Sequence, residues 1–206
     1  MRIIAGEAKG RSLFAPAGDQ TRPTSDKIRG AVFNIIGSRV LDSRVLDLFG
    51  GSGALALEAL SRGAQCAVVA DNSRQAWQVI DRNARNVLKD DYEYRIDIRH
   101  QDYRSAIAAL EGRIFDLVFL DPPYRMAQAY GDAIARLLAG DMLAPGCLIV
   151  MERRKDIQAP LPRAVTVFDT RLYGDTAVDF AEIGSAEADG PDGRLEEAPQ
   201  DVPDMD

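Results

Sequence analysis

A short motif combines a carboxylate, two prolines and an aromatic ring. Its members are Asp121, Pro122, Pro123 and Tyr124. The motif directly follows the apolar run "FDLVFL", which predicts a buried strand over residues 115–120. Because proline has no backbone N–H to donate, neither a helix nor a central strand continues through two prolines. The strand therefore ends in a rigid turn that presents a carboxylate, a carbonyl oxygen and a ring.

This turn suits chemistry on an exocyclic amine of a planar base. Such an amine is a poor nucleophile, because its lone pair is delocalised into the ring. The Asp121 carboxylate and the Pro122 carbonyl can each accept one of its N–H bonds and stabilise the positive charge that develops on the nitrogen. Pro123 holds the backbone, and Tyr124 can stack on the base. The motif is typical of methyltransferases that modify an sp² amino nitrogen, and we predict that its four residues are catalytic.

A second motif, "VLDLFGGSGALALEAL", places glycines between a predicted strand and a predicted helix. Glycine lets a backbone approach a ligand closely, and a helix N-terminus offers unpaired N–H groups. The segment also fits the dinucleotide fingerprint G-x-G-x-x-A, which is a weak signal by itself. We predict a cofactor-binding loop made of Gly50, Gly51, Ser52 and Gly53.

Carboxylates near the ends of the predicted strands indicate which cofactor the loop binds. Asp47, inside the first strand, favours the cationic amino group of S-adenosylmethionine over a pyrophosphate, which it would repel. Asp71 ends the second strand, where it can accept two ribose hydroxyls. Asp102 follows the third strand and can either accept from the adenine amine or cap the next helix. With Asp121 after the fourth strand, these residues define one crevice, as in class I methyltransferases.

Alternating apolar runs and amphipathic segments predict the elements that position these residues. We predict an α/β fold: a Rossmann-like, doubly wound, mostly parallel seven-stranded sheet with a C-terminal antiparallel hairpin and a small N-terminal β-hairpin extension. The predicted strands are 45–49, 66–70, 94–99, 115–120, 147–151, 163–171 and 176–183. The predicted helices are 53–62, 73–88, 103–110 and 129–139, preceded by one that Thr24 or Ser25 caps and Gly37 ends.

The net charge of −7 is unevenly distributed. Residues 185–206 hold eight acids and one base, so we expect this proline-, glycine- and acid-rich segment to be a disordered tail. Residues 1–44 hold eight bases and four acids, which permits a nucleic-acid partner. We predict that RNA is contacted by Lys9, Arg11, Arg22 and Arg29. The chain then divides into an RNA-binding extension (1–40), a methyltransferase domain (41–184) and the tail.

Composition argues against several other classes of protein. No stretch approaches about 18 consecutive apolar residues, and the N-terminal sequence lacks the apolar core of a secretory signal. The two cysteines and the one histidine show no metal-ligand spacing. We expect a monomeric cytoplasmic protein with no metal site.

Five segments resemble the bacterial small-subunit ribosomal RNA guanine-N2 methyltransferase family, the RsmD-like proteins. They are "MRIIAGEAKGRSL", "TRPTSDKIRGAVFNII", "VLDLFGGSGALALEALSRGA", "FDLVFLDPPY" and "YGDTAVDF". The resemblance implies S-adenosylmethionine as donor, a guanine of 16S ribosomal RNA within a small-subunit particle as acceptor, cofactor contacts at Gly50–Gly53, Asp71 and Asp102, and the amine site at Asp121–Tyr124. This chain departs from the family at Gly30, where Glu commonly follows Arg, and in its acidic tail.

Other interpretations remain open from the residues alone. A DNA adenine-N6 methyltransferase shares the Asp-Pro-Pro-Tyr chemistry but usually has a separate base-recognition domain. A protein glutamine-N5 methyltransferase typically carries Asn where Asp121 stands. A nicotinamide oxidoreductase would use the glycine-rich loop but leaves the motif and Asp47 unexplained. A non-catalytic RNA-binding module has no need of the loop.

Overall fold

In the computed structural model, residues 1–16 and 26–184 are described. Their seven strands form one sheet in the order β3-β2-β1-β4-β5-β7-β6. The strands are β1 (Arg44–Asp47), β2 (Cys66–Asp71), β3 (Ile96–His100), β4 (Phe115–Leu120), β5 (Leu143–Arg154), β6 (Val165–Tyr173) and β7 (Thr176–Ile183). Strands β1 to β5 run parallel, while β7 pairs antiparallel with both β5 and β6. The predicted doubly wound sheet with a C-terminal hairpin is confirmed.

In the described part of the chain, six α-helices connect or cover the strands. They are α1 (Asp26–Ile36), α2 (Ala54–Ser61), α3 (Arg74–Leu88), α4 (Tyr92–Arg95), α5 (Tyr103–Ala108) and α6 (Gln128–Ala139). The hydroxyl of Ser73 caps α3 by accepting the Ala76 N–H at 3.3 Å. Among the described helices, none is both long and apolar enough to cross a membrane.

Strand β4 shows why the central strands are apolar on both faces. Leu117 and Phe119 belong to a buried cluster that includes side chains of α1, α2 and α3. Val118 and Leu120 belong to a second cluster, which includes side chains of α5 and α6. Helices cover both sides of this parallel sheet, so both faces of its central strands are buried. Their sequences are therefore nearly continuous apolar runs.

Five of the seven predicted strands differ from the structure in their bounds, and the third and the fifth show why. The third strand begins at Ile96, two residues later than predicted, because Tyr92–Arg95 form a short helix. The fifth strand extends over Leu143–Arg154, beyond the predicted 147–151. Pairing with β4 on one side and β7 on the other lengthens it past the apolar run from which it was predicted.

The N-terminal arm, residues 1–16, contains a reduced version of the predicted hairpin. A single antiparallel bridge joins Arg2 to Ser12, and turns occupy the residues between. Ile3 and Leu13 are buried in the same cluster as α2, so the arm packs on the body of the protein. Arg22, the predicted capping residues Thr24 and Ser25, and the predicted tail lie outside the described residues.

Candidate active site at the carboxyl ends of the strands

A cleft of about 630 Å³ opens at the carboxyl ends of the parallel strands. This is the edge at which open α/β sheets bind ligands. The predicted site residues that line it are Gly51, Asp71, Asp102, Asp121, Pro122, Pro123 and Tyr124. The predicted residues that do not line it are Asp47, Gly50, Ser52 and Gly53. The structure therefore brings Asp121–Tyr124, called the amine motif, and Asp71, the predicted ribose contact, into one cavity.

The glycine-rich loop fits closely against β2. A Cβ at Gly50 would lie 2.4 Å from a methyl of Val69, so any side chain there would push the loop away from the sheet. Gly51 has φ +55° and no atom within 4 Å of the position of a Cβ, so its backbone is open to the cleft. The loop thus presents bare backbone to a ligand.

Asp71 is held in place by backbone N–H groups of two loops. Its Oδ2 accepts the Gly51 N–H at 2.9 Å, and its Oδ1 accepts the Ser73 N–H at 2.8 Å. Each carboxylate oxygen retains further acceptor capacity. The carboxylate is therefore oriented before a ligand arrives, with both oxygens able to accept hydroxyl hydrogens.

Asp47 lies beneath the loop and does not reach the cleft. Its side chain is 2% exposed and accepts the Phe49 N–H at 3.3 Å. Burial raises the pKa of Asp47 to about 7. The sequence predicts that Asp47 contacts the amino group of S-adenosylmethionine directly. The structure does not place it for that contact, because its carboxylate is buried and does not line the cleft.

Asp102 caps helix α5, which confirms one of its two interpretations. Its Oδ1 accepts the Arg104 and Ser105 N–H groups at 3.0 and 3.2 Å, and its Oδ2 accepts the Ser105 hydroxyl at 2.6 Å. The bond from the Ser105 hydroxyl lowers the pKa of Asp102. The carboxylate still lines the cleft, so contact with an adenine amine remains a prediction.

The amine motif ends β4 in a short 3₁₀ turn. The Met126 N–H donates to the Pro123 carbonyl at 2.7 Å, which closes the turn over Tyr124–Met126. The Tyr124 ring is half exposed, and the Arg154 guanidinium lies 6.0 Å from its centre. Burial and the charge of Asp121 raise the pKa of the Tyr124 hydroxyl, so the ring stays neutral and available for stacking.

Among the cleft residues that were not predicted from the sequence, two aromatic rings and a carboxylate bear on its chemistry. Phe49 and Tyr103 pack with their ring centres 5.5 Å apart and give the cleft an aromatic wall. Glu152 lines the cleft near the carboxyl end of β5. The sequence predicts site residues from carboxylates near the carboxyl ends of the first four predicted strands. Glu152 directly follows the predicted fifth strand, so the same criterion would have identified it.

A buried amide joins the N-terminal arm to the cofactor loop. Asn83 of α3 is fully buried and contacts Phe14 of the arm. Its Nδ2 also donates to the Ser52 carbonyl at 2.8 Å. Pro16 follows at the rim of the cleft. Nothing in the local sequence of α3 indicates this role.

The basic residues predicted to contact RNA occupy different environments. Lys9 is exposed. The Arg11 guanidinium donates to the carbonyls of Asn86 and Val87 near the C-terminus of α3, a favourable position for a cation. Arg29 is 0% exposed, and its Nε lies 3.5 Å from Glu58 Oε2. The prediction that Arg29 contacts RNA phosphates is wrong in this structure, because a buried carboxylate draws its side chain inward.

The chain is similar to known proteins in sequence and in structure. The family described as "Conserved hypothetical protein 95" matches residues 1–182. YlbH of Bacillus subtilis is 36% identical over 162 residues, which cover 78% of this chain and 86% of that protein. "Ribosomal RNA small subunit methyltransferase D" of Escherichia coli K12 is 33% identical over 162 residues, which cover 79% of this chain and 78% of that protein.

The solved structure of yhhF from Escherichia coli superposes with a TM-score of 0.76 at 30% identity. The match covers 90% of this chain and 98% of that one. The family model, the sequence relatives and the solved structure agree over nearly the whole described part of the chain. The sequence relatives include proteins named as ribosomal RNA methyltransferases. The chain belongs to the Conserved hypothetical protein 95 family.

Proposed function

We propose that the protein transfers a methyl group from S-adenosylmethionine to the exocyclic N2 amine of a guanine in 16S ribosomal RNA. One observation carries the proposal: the Asp-Pro-Pro-Tyr motif and the carboxylate of Asp71 line the same cleft. The name of the Escherichia coli relative supports ribosomal RNA of the small subunit as the substrate.

The residues near β1 and β2 fit S-adenosylmethionine. The oriented Asp71 carboxylate suits the two hydroxyls of its ribose, and Asp102 suits its adenine amine. Phe49 offers an apolar wall for the adenine ring, and the open backbone at Gly51 offers close approach. When bound there, S-adenosylmethionine supplies an electrophilic methyl group.

The residues at the end of β4 act on the acceptor amine. The Asp121 carboxylate and the Pro122 carbonyl each accept one N–H bond, which stabilises the positive charge on the nitrogen as its bond to carbon forms. Tyr124 stacks on the base and fixes its plane. Holding the amine in line with the methyl carbon lowers the barrier by several kcal/mol, on the order of the gain from a well-oriented intramolecular reaction. The proton leaves the cationic amine afterwards, to Asp121 or to water.

Contacts to RNA are assigned to the basic N-terminal segment. Lys9 is exposed, Arg11 adds positive charge beside α3, and Arg22 completes the predicted set. Because the target base must leave its stack to reach Asp121, a single-stranded loop in an assembling small-subunit particle suits this small protein better than duplex. The protein acts there as a monomer.

The experiment is transfer of labelled methyl from S-adenosylmethionine into small-subunit particles that lack the modification, followed by mapping of the labelled base. We expect one labelled guanine, methylated on N2. Label on adenine or on protein would contradict the assignment and favour the DNA-type or glutamine-type methyltransferases. Absence of label with oxidation of a nicotinamide cofactor would favour the oxidoreductase.

A further inference from the structure

A second carboxylate, that of Glu152, lies beside the amine motif in the cleft. Strands β4 and β5 are parallel, with Leu120, the last residue of β4, opposite Met151. Asp121 and Glu152 each come directly after this pair, on chains that lie about 4.8 Å apart at that point. Both line the cleft. Two carboxylates therefore face the space that the target base would occupy.

The two arginines that follow Glu152 pair with other carboxylates. Arg153 Nε donates to Asp179 Oδ2 at 2.5 Å, and Arg154 Nη2 donates to Asp156 Oδ2 at 2.6 Å. The Glu152 carbonyl accepts the Tyr130 hydroxyl at 2.5 Å, which fixes the backbone at this position. The end of β5 is thus held firmly while its carboxylate lines the cleft.

The atoms next to the reacting amine differ among the bases. In guanine, one of the two ring nitrogens that flank the exocyclic amine, N1, carries a hydrogen. In adenine and cytosine, the ring nitrogen beside the amine is a bare acceptor. A carboxylate can accept a hydrogen bond from the N1–H of guanine. Against the bare ring nitrogen of adenine or cytosine it would place two acceptors face to face with no hydrogen between them, which is strongly unfavourable in a buried site.

We propose that the Glu152 carboxylate accepts the N1–H of the target guanine and thereby selects guanine over adenine and cytosine. The inference rests on the proposed function, since it concerns the acceptor base of that reaction. A carboxylate has acceptor sites on both oxygens, so Glu152 can serve a protein neighbour and the base at once. Asp121 and Pro122 then bind the amine, while Glu152 reads the ring.

The test uses 2-aminopurine, which keeps the reacting amine of guanine but has no hydrogen on N1 and no carbonyl oxygen on C6. Small-subunit particles are reconstituted with either guanine or 2-aminopurine at the mapped position, and kcat/KM is measured for both. We expect the wild type to prefer guanine by roughly 100-fold or more, as for a site whose polar group is left unpaired by an analogue. Glu152→Gln offers an amide N–H to the bare nitrogen, so the preference should narrow by about tenfold or more.

The ratio of the two preferences cancels any difference in intrinsic reactivity between the amines. Glu111→Gln, an exposed position that does not line the cleft, is the matched control and should keep the wild-type preference. Binding of S-adenosylhomocysteine by calorimetry checks that each variant is folded. An unchanged preference in Glu152→Gln overturns the inference. If that variant does not fold, the wild type decides, because equal rates on the two bases also overturn it. Failure of the wild type to methylate guanine at all overturns the proposed function instead.

Discussion

Phe14 and Asn83 exchange two hydrogen bonds between the N-terminal arm and helix α3. The Phe14 N–H donates to Asn83 Oδ1 at 2.9 Å, and Asn83 Nδ2 donates to the Phe14 carbonyl at 2.9 Å. The same Nδ2 donates to the Ser52 carbonyl in the cofactor loop. One buried amide therefore fixes the arm and the loop in a single arrangement, and it connects the predicted RNA-binding segment to the cofactor side of the cleft.

Asn83→Ala should loosen both contacts. The loss of buried hydrogen bonds predicts a decrease of about 1–3 kcal/mol in the free energy of unfolding. Affinity for S-adenosylhomocysteine should fall several-fold, because Ser52 loses its support. Urea denaturation and calorimetry measure the two effects. Asn86→Ala is the control, since Asn86 contacts the arm at Ser12 but not the loop. Equal loss of cofactor affinity in both variants would contradict a specific role for the link to Ser52.

A second prediction concerns the buried pair Arg29 and Glu58. Both side chains are 0% exposed, and Glu58 also accepts the Ile4 and Ala5 N–H groups at 2.8 and 3.0 Å. Arg62 also pairs with Glu58, at 2.7 Å, so Arg29→Ala leaves the buried carboxylate with one cation instead of two and should lower the free energy of unfolding by about 1–3 kcal/mol.

Lys27→Ala is the control for this pair, because Lys27 is exposed on the same helix. Its effect on the free energy of unfolding, measured by urea denaturation, should be within about 0.5 kcal/mol. A stable Arg29→Ala protein with weakened RNA binding would contradict the structural role and restore the surface role expected from sequence.

The central strands and the cleft were predictable for a local reason. Buried parallel strands are apolar on both faces, and ligand residues gather where they end, so Asp71 and Asp121 could be placed without knowing any long-range contact. Arg29 could not, because its partner Glu58 comes from a different helix far along the chain. The role of Asn83 also depends on distant partners, Phe14 and Ser52.

Stability should depend on pH through Asp47. Burial raises its pKa to about 7, whereas an unfolded chain has a carboxyl pKa near about 4. Between these values the folded state holds a proton that the unfolded state has released, so wild-type stability falls as pH rises through this window. Asp47→Asn cannot titrate. Its stability relative to the wild type should therefore increase between pH 5 and pH 8, by about 2 kcal/mol.

Urea denaturation of both proteins across this pH range measures the difference. Asp90→Asn, at an exposed position, is the control and should follow the wild type. Parallel curves for Asp47→Asn and the wild type would contradict a protonated Asp47 in the folded protein.

The basic N-terminal segment should contribute to RNA affinity through its predicted RNA contacts, among them the exposed Lys9. Replacing Lys9 and Arg22 together by alanine should weaken particle binding and reduce the slope of log affinity against log salt by about one for each lost phosphate contact. Binding of S-adenosylhomocysteine should not change. Arg163→Ala, an exposed arginine outside this segment, should leave the slope as in the wild type. An unaltered slope in the double variant would place the RNA-binding face elsewhere.

Asp71 and Asp121 should separate cofactor binding from chemistry, although both line one cleft. Asp121 acts on charge that develops during the reaction, so Asp121→Ala should lower kcat by about 100-fold or more and change S-adenosylmethionine affinity only a few-fold.

Asp71 accepts ribose hydroxyls in the ground state. Asp71→Ala should therefore weaken cofactor binding by about 1–3 kcal/mol, the range for hydrogen bonds to a charged group. Calorimetry gives the affinities, and single-turnover methyl transfer at saturating cofactor gives the rates. Near-wild-type turnover in Asp121→Ala, or unchanged affinity in Asp71→Ala, would contradict the division of the cleft into a methyl-acceptor end and a cofactor end.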